Sequence, residues 1–245
     1  MFGPRVSPTE LREQHPESKR KSDFQNHFWA YLVVRRLAFY VSPIFIRLGL
    51  SANQVTILGG VVLFVGIFFM SITTNYGLII SGVVLINIWV LFDFVDGIVA
   101  RFNNTSDPFG AFVDWLIGLV FQTGPPFAVA IVLYRTTSFE ILGPIIEIPA
   151  VVWFAFAGAT VIAHLFRRMI SQKADLLLEN NSAKLNSGVS AKMVAHSIIS
   201  FKAPFLFVAT LFGFLDIWLL FYTIYNILLI APTIILQIHR FNAHG

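Results

Sequence analysis

No cysteine occurs in the 245 residues. That absence excludes disulfides, a thiolate zinc site and a cysteine nucleophile, and it leaves the redox compartment open. Charge is scarce as well. Asp, Glu, Lys and Arg make up 12% of the chain, where a soluble domain carries roughly 25%. Too few charges are present to cover a water-facing surface, so a soluble globular class is excluded. The first 25 residues contain no apolar run, and the sequence therefore predicts no cleavable signal peptide. Internal repeats and low-complexity tracts are also missing.

What the chain has instead is apolar length. The hydrophobic fraction is 56%, with 26 Phe and 5 Trp, and the mean hydropathy is +0.75. Such residues suit lipid-facing and interfacial positions. Six apolar runs lie at about 54–72, 76–99, 109–134, 148–168, 197–214 and 217–238. Each is near the roughly 20 residues that cross a bilayer. The expected fold is an all-α integral membrane protein of six transmembrane helices, preceded by an N-terminal amphipathic interfacial helix. Residues 1–22 read as a mobile tail and 49–245 as the transmembrane catalytic domain. Residues 23–48 mix apolar and aromatic residues with Arg35, Arg36 and Arg47. A helix with one apolar side and a basic side lies in the interface rather than spanning. Pro43 is expected to break or kink it.

The basic residues set the expected orientation. Arg5 through Arg47, Arg101, Arg167, Arg168, Lys173, Lys184, Lys192, Lys202 and Arg240 fall on one side of the six runs, and Arg135 alone on the other. The positive-inside rule then predicts cytoplasmic termini and a cytoplasmic 101–108 loop. A net charge of +4 follows from that topology and from contact with anionic lipid heads, so no nucleic-acid partner is implied. Asn103-Asn104-Thr105 matches a glycosylation sequon, but its expected cytoplasmic side rejects it. Lys184, Lys192 and Lys202 read as solvated or touching lipid heads, with lining of the acceptor path the alternative.

Between the second and third runs stands DFVDGIVARFNNTSDPFGAFVD, residues 93–114, with carboxylates at Asp93, Asp96 and Asp114. Charges inside apolar runs are rare and usually functional. Asp93, Asp96, Gly97, Ala100 and Arg101 share one helical face by their spacing. Gly110, Asp114 and Gly118 share another. Two antiparallel helices bring the three aspartates together. Convergent carboxylates are hard oxygen ligands suited to Mg²⁺, Mn²⁺ or Ca²⁺. The competing reading is a set of structural ion pairs with Arg101. Gly97 and Ala100 leave room for a ligand or a neighbouring helix, and Arg101 can grip a phosphate. A bound divalent ion beside an arginine is what a pyrophosphate substrate needs. The carboxylates cluster at one end rather than at mid-membrane, which argues against a carrier.

The pattern Asp93-x-x-Asp96-Gly97-x-x-Ala100-Arg101, eight residues, then Gly110-x-x-x-Asp114 closely resembles the signature of the CDP-alcohol phosphotransferase (phosphatidyltransferase) family. Ser51-Ala52-Asn53-Gln54-Val55-Thr56 resembles the segment that opens the first span in that family. The resemblance implies attack of an alcohol on the β-phosphorus of a CDP-linked donor, with release of CMP. It implies that Asp93, Asp96 and Asp114 hold the metal. Gly97, Ala100, Arg101, Gly110, Asn53 and Thr56 would then surround the nucleotide and its phosphates. It also implies a homodimer. Within that family the donor can be a lipid, or a soluble CDP-alcohol can give its head group to a lipid or lipid-linked glycan.

One position departs from the signature. The family carries a fourth aspartate, its presumed general base, four residues after the third, and here Gly118 stands there. Three explanations are open. Another residue serves as base, with His164 the candidate, although a hydrogen-bonded bystander is the plainer reading of that histidine. Or the acceptor is acidic enough to need none. Or only CDP-substrate binding is kept. Gly118 itself reads as a small residue against which a neighbouring helix packs. Arg167 and Arg168 read either as a basic cuff at the lipid heads or as ligands of an acceptor phosphate.

Overall fold

Backbone buried in lipid must satisfy its own hydrogen bonds, and helices do so within one segment. A computed structural model of the chain describes residues 4, 6–13, 33–105, 108–179 and 201–242. Every regular element among them is helical. In chain order they are α1 (Pro8–Glu13), α2 (Val34–Arg47), α3 (Ala52–Ile72), α4 (Tyr76–Phe102) and α5 (Pro108–Arg135). After these come α6 (Leu142–Ile146), α7 (Val152–Glu179), α8 (Lys202–Phe212), α9 (Leu215–Leu228) and α10 (Ile230–Asn242).

Four stretches are long and apolar enough to cross a membrane: α3, α4, α5 and the nearly continuous α9–α10 stretch of residues 215–242. Ile57, Val61, Phe64 and Phe68 form an exposed apolar stripe along α3, as an integral membrane protein requires. α7 is as long as α5 but carries Arg167, Arg168, Lys173 and Asp175, and α8 has 11 residues. The expected run at 197–214 begins outside the described residues, as do Arg5, Lys184, Lys192 and residues 14–32 of the expected tail and interfacial helix.

α4 is the hub. It packs on α3, α2 and α8, while α5 joins α3 to α7 and α9. α3 and α4 meet where Gly66 and Gly82 face one another. A Cβ on either would come within 2.7 Å of the other's carbonyl oxygen, so the two backbones touch only because both side chains are absent. A large core fills the space between α3, α4, α5, α7, α8 and α9, with Trp153, Trp218 and Tyr222 its largest buried members. A second core, built from Ala38, Phe39, Ile46, Val55, Val95 and Val99, fixes α2 to the aspartate-bearing end of α4.

Three local expectations change. Pro43 does not break α2, which runs through it. Residues 8–13, assigned to the tail, form a helix capped by reciprocal Ser7 and Glu10 bonds, and its Leu11 is buried. Lys202, expected among lipid heads, is 3% exposed. Its burial has a cause in α5. Phe121 and Gln122 would offer their carbonyls to the N–H groups of residues 125 and 126, but both of those are proline and have none. Lys202 Nζ donates to Phe121 O at 3.0 Å and to Gln122 O at 2.9 Å, supplying the missing donors. Gln122 Oε1 accepts from the same ammonium at 3.4 Å.

Candidate functional site

The site begins with the caps that aim its helices. Ser51 and Gln54 form a capping box at the start of α3: Gln54 N donates to Ser51 Oγ and Ser51 N donates to Gln54 Oε1. That fixes the first turn of α3, which presents Asn53 and Thr56. α4 ends at Phe102, and α5 opens at Pro108, a residue suited to a first helical turn because it lacks the N–H that such a turn leaves unpaired. The three helix ends surround an open cavity of about 620 Å³. Its wall includes Asn53, Thr56, Asp96, Gly97, Ala100, Gly110 and Asp114, seven of the residues singled out from the sequence.

The aspartates are gathered but not equivalent. The carboxyl groups of Asp93 and Asp114 meet at hydrogen-bonding range across α4 and α5. Two ionised carboxylates cannot stay together without a proton or a cation between them. Both residues are exposed, whereas Asp96 is 9% exposed. Thr56 Oγ1 lies 2.6 Å from Asp96 Oδ2 and 3.0 Å from Ala52 O. The hydroxyl has one proton, and the carboxylate is the nearer, charged acceptor. Among the described residues, no three Asp, Glu, His or Cys side chains form a ready-made metal cluster. The arrangement is a facing pair with a third carboxylate tied back to α3. Its all-oxygen, anionic donor set fits a hard divalent ion.

Two glycines behave oppositely. A Cβ at Gly110 would collide with Asn53 Oδ1, so only glycine permits that approach of α5 to α3. At Gly118 a Cβ would meet nothing within 4 Å. The expectation that a helix packs on Gly118 is therefore wrong; the position faces open space.

Positive charge comes from four arginines. Arg101 folds back over Gly97, whose Cβ would stand 3.4 Å from both terminal guanidinium nitrogens. It does not line the cavity, though it lies near enough to Asp96 for their charges to interact. Arg168 reaches over from α7: its guanidinium sits 4.6 Å from the Trp115 ring centre and within electrostatic reach of Asp114. Arg167 instead points to α9, donating to Asn226 Oδ1 at 3.1 Å. The fourth, Arg35, was expected on the polar face of its helix. It is 6% exposed and lies 5.3 Å from the Phe94 ring centre. Burial, and then the charge of Arg101, push its guanidinium down to about 10, so it stays charged at neutral pH. Its neighbours come from α4, about 60 residues away, and no local spacing could reveal them.

His164 is not beside the aspartates. It lines a separate, small space with Gln122, Lys202, Tyr222, Tyr225 and Asn226, and its buried Nε2 has no hydrogen-bond partner.

A model of the CDP-alcohol phosphatidyltransferase family matches residues 50–238, which spans every helix from α3 through α9 and most of α10. A comparison with curated proteins gave no match. The family transfers a phosphoalcohol group from a CDP-alcohol. With more than half the chain matched and the cavity walled by the motif residues, this protein belongs to the CDP-alcohol phosphatidyltransferase family.

Proposed function

We propose that the protein transfers a phosphatidyl or other phospho-alcohol group from a CDP-linked donor to an alcohol, releasing CMP. The observation that supports this most is the cavity at the ends of α3, α4 and α5, with the facing pair Asp93–Asp114 at its edge. Asp93, Asp114 and Asp96 would hold a divalent ion, Mg²⁺ or Mn²⁺, with Ca²⁺ able to use the same ligands. Bound there, it supplies positive charge opposite the donor's diphosphate. Gly97, Ala100 and Gly110 keep the wall low enough for the nucleotide. Asn53 offers its amide at the first turn of α3, and Thr56 holds Asp96 in place. Arg101 adds charge from behind Gly97.

In the reaction the acceptor oxygen bonds to the β-phosphorus. The bond from that phosphorus to the bridging oxygen breaks, its electron pair leaves with CMP, and the hydroxyl proton is released. Arg168, beside Asp114, and Arg167 lie on the acceptor side in this reading, and His164, one small space further in, is the candidate to take up that proton.

We read α7 and the apolar run that contains α8 as two further spans, giving six, with α2 as an interfacial helix. Both termini and the cavity then face the cytoplasm, by the distribution of Lys and Arg. The protein pairs as a homodimer in this reading. Gly118 favours a second reading, a CDP-substrate-binding protein without turnover. Purified protein incubated with CDP-diacylglycerol, candidate alcohols and Mg²⁺ or Mn²⁺ separates the two. CMP release above background supports the transferase; metal-dependent CDP binding with no CMP supports the binding protein.

A further inference from the structure

The buried face of α2 carries Arg35, Ala38, Phe39, Ser42 and Ile46, spaced as one side of a helix. Ser42 donates its hydroxyl to Ala38 O within the same helix, so Arg35 is the one charge on that face. Arg36 and Arg47 are exposed. α2 is joined to the aspartate-bearing end of α4 by apolar contacts. Phe45 and Phe92 meet edge to face with ring centres 5.4 Å apart, and Phe39 and Ile46 share a core with Val95 and Val99. Those contacts hold the two helices together without a charge, and a guanidinium is costly to bury. Arg35 therefore calls for an electrostatic task.

Phe94, Gly97 and Arg101 follow one another on α4 at intervals of three and four, so they form one stripe. The Arg35 guanidinium lies 5.3 Å from the Phe94 ring centre, within cation–π range. Arg101 folds back along the stripe until its terminal nitrogens lie over Gly97, one turn short of that ring. The two guanidinium groups are near enough for their charges to act on one another, and Arg101 is also within reach of the Asp96 charge. Two attractions thus compete for Arg101. One is the carboxylate of Asp96, in the cavity wall; the other is the face of Phe94, which does not border the cavity. Arg35 covers the second and repels Arg101 from it.

Resting on the transfer reading above, we infer that Arg35 is a positioning residue for the donor's diphosphate. It touches no substrate. By covering Phe94 it keeps Arg101 over Gly97, at the cavity wall, where the Arg101 charge meets the diphosphate. The helix that packs behind the site thereby sets the strength with which the front of the site holds the donor.

Arg35→Met keeps length and packing and removes the charge. KM for CDP-diacylglycerol, read from CMP release with Mn²⁺, should rise about 10-fold with kcat nearly unchanged, the scale of one lost charged hydrogen bond. Arg35→Lys, a cation that can also sit over Phe94, should restore most of that. In an Arg101→Gln background Arg35→Met should change KM by less than about 2-fold, because the residue it positions is gone. Equilibrium binding of CDP-diacylglycerol to the same proteins should follow KM. Arg35→Gln, uncharged but polar, replaces the Met variant if that one does not fold, with the same expectations. A parental KM in the uncharged variant, whether or not its melting temperature falls, overturns the inference and leaves the transferase standing. So does a KM that rises equally in both backgrounds. CDP-diacylglycerol binding with no CMP from any alcohol overturns the transfer reading instead, and the binding affinities of the same variants then decide the role of Arg35.

Discussion

Two ends of the bundle hold carboxylates, and they hold them differently. At one end Asp216 is fully buried and accepts from four backbone N–H groups, those of Ile141, Leu142, Gly143 and Ile217. Its charge is answered by the loop it organises and by the first turn of α6. At the other end Asp93 and Asp114 face each other beside an open cavity, and Asp96 is held by the Thr56 hydroxyl and the Gly97 backbone N–H. The first carboxylate is saturated by its own protein. The second group sets three carboxylates against the charges of Arg101 and Arg168, so it can take a further cation. The inventory of partners, more than burial or charge alone, separates a structural acid from a functional one.

The largest expected effect breaks the comparison at the open end. Asp93→Asn keeps shape but removes a charge. Transfer should fall by roughly 10³-fold, the several kcal/mol that a cation's stabilisation of developing charge is worth. The melting temperature should hold or rise, because a repulsive pair has been relieved. CMP release and thermal unfolding measured on the same preparation check both halves. Retained activity, or a collapse of stability, would place Asp93 with Asp216.

The converse substitution is Asp216→Ala. It strands buried backbone donors, and should destabilise by about 3 kcal/mol. CDP-substrate affinity in the protein that remains folded should be unchanged. Thermal unfolding against CDP-diacylglycerol binding is the measurement; weakened binding without loss of stability would contradict the assignment.

Lys202 sharpens the same distinction from the cation side. Its partners are carbonyls that two prolines leave without donors, so Lys202→Met should cost about 2 kcal/mol. Pro125→Ala with Pro126→Ala should recover most of that loss, since the helix then supplies its own N–H groups. A double-mutant cycle reads the coupling directly; additive effects would mean that Lys202 serves something other than the proline gap.

These cases also mark what the sequence could convey. Spacing within a helix is local, so the shared faces of Asp93, Asp96 and Gly97 and of Gly110 and Asp114 were legible, as was the apolar length of α3, α4 and α5. Apart from Ile217, which follows Asp216 in the chain, the partners of Arg35, Lys202 and Asp216 are 59 or more residues away and depend on which helices touch. Gly118 shows the limit most plainly. A glycine in an apolar helix suggests close packing, and only the folded structure shows that a Cβ there would touch nothing within 4 Å.

Asp96 falls between the two kinds of acid, and Thr56 decides which it resembles. The pair is buried, and Thr56 is 7% exposed. Thr56→Val removes the donor and keeps the volume. Were Asp96 structural, the loss would be seen as destabilisation with activity intact, because its role would end at holding α3 to α4. If Asp96 reaches the substrate's cation, Thr56 orients a ligand, and kcat/KM and Mn²⁺ affinity should both fall about 10-fold. Stability should then change by only about 1 kcal/mol, the net worth of one hydrogen bond. Thr56→Ser, which keeps the hydroxyl, should behave as the parent. A Val variant that loses stability but not Mn²⁺ affinity would leave two aspartates, not three, at the open end.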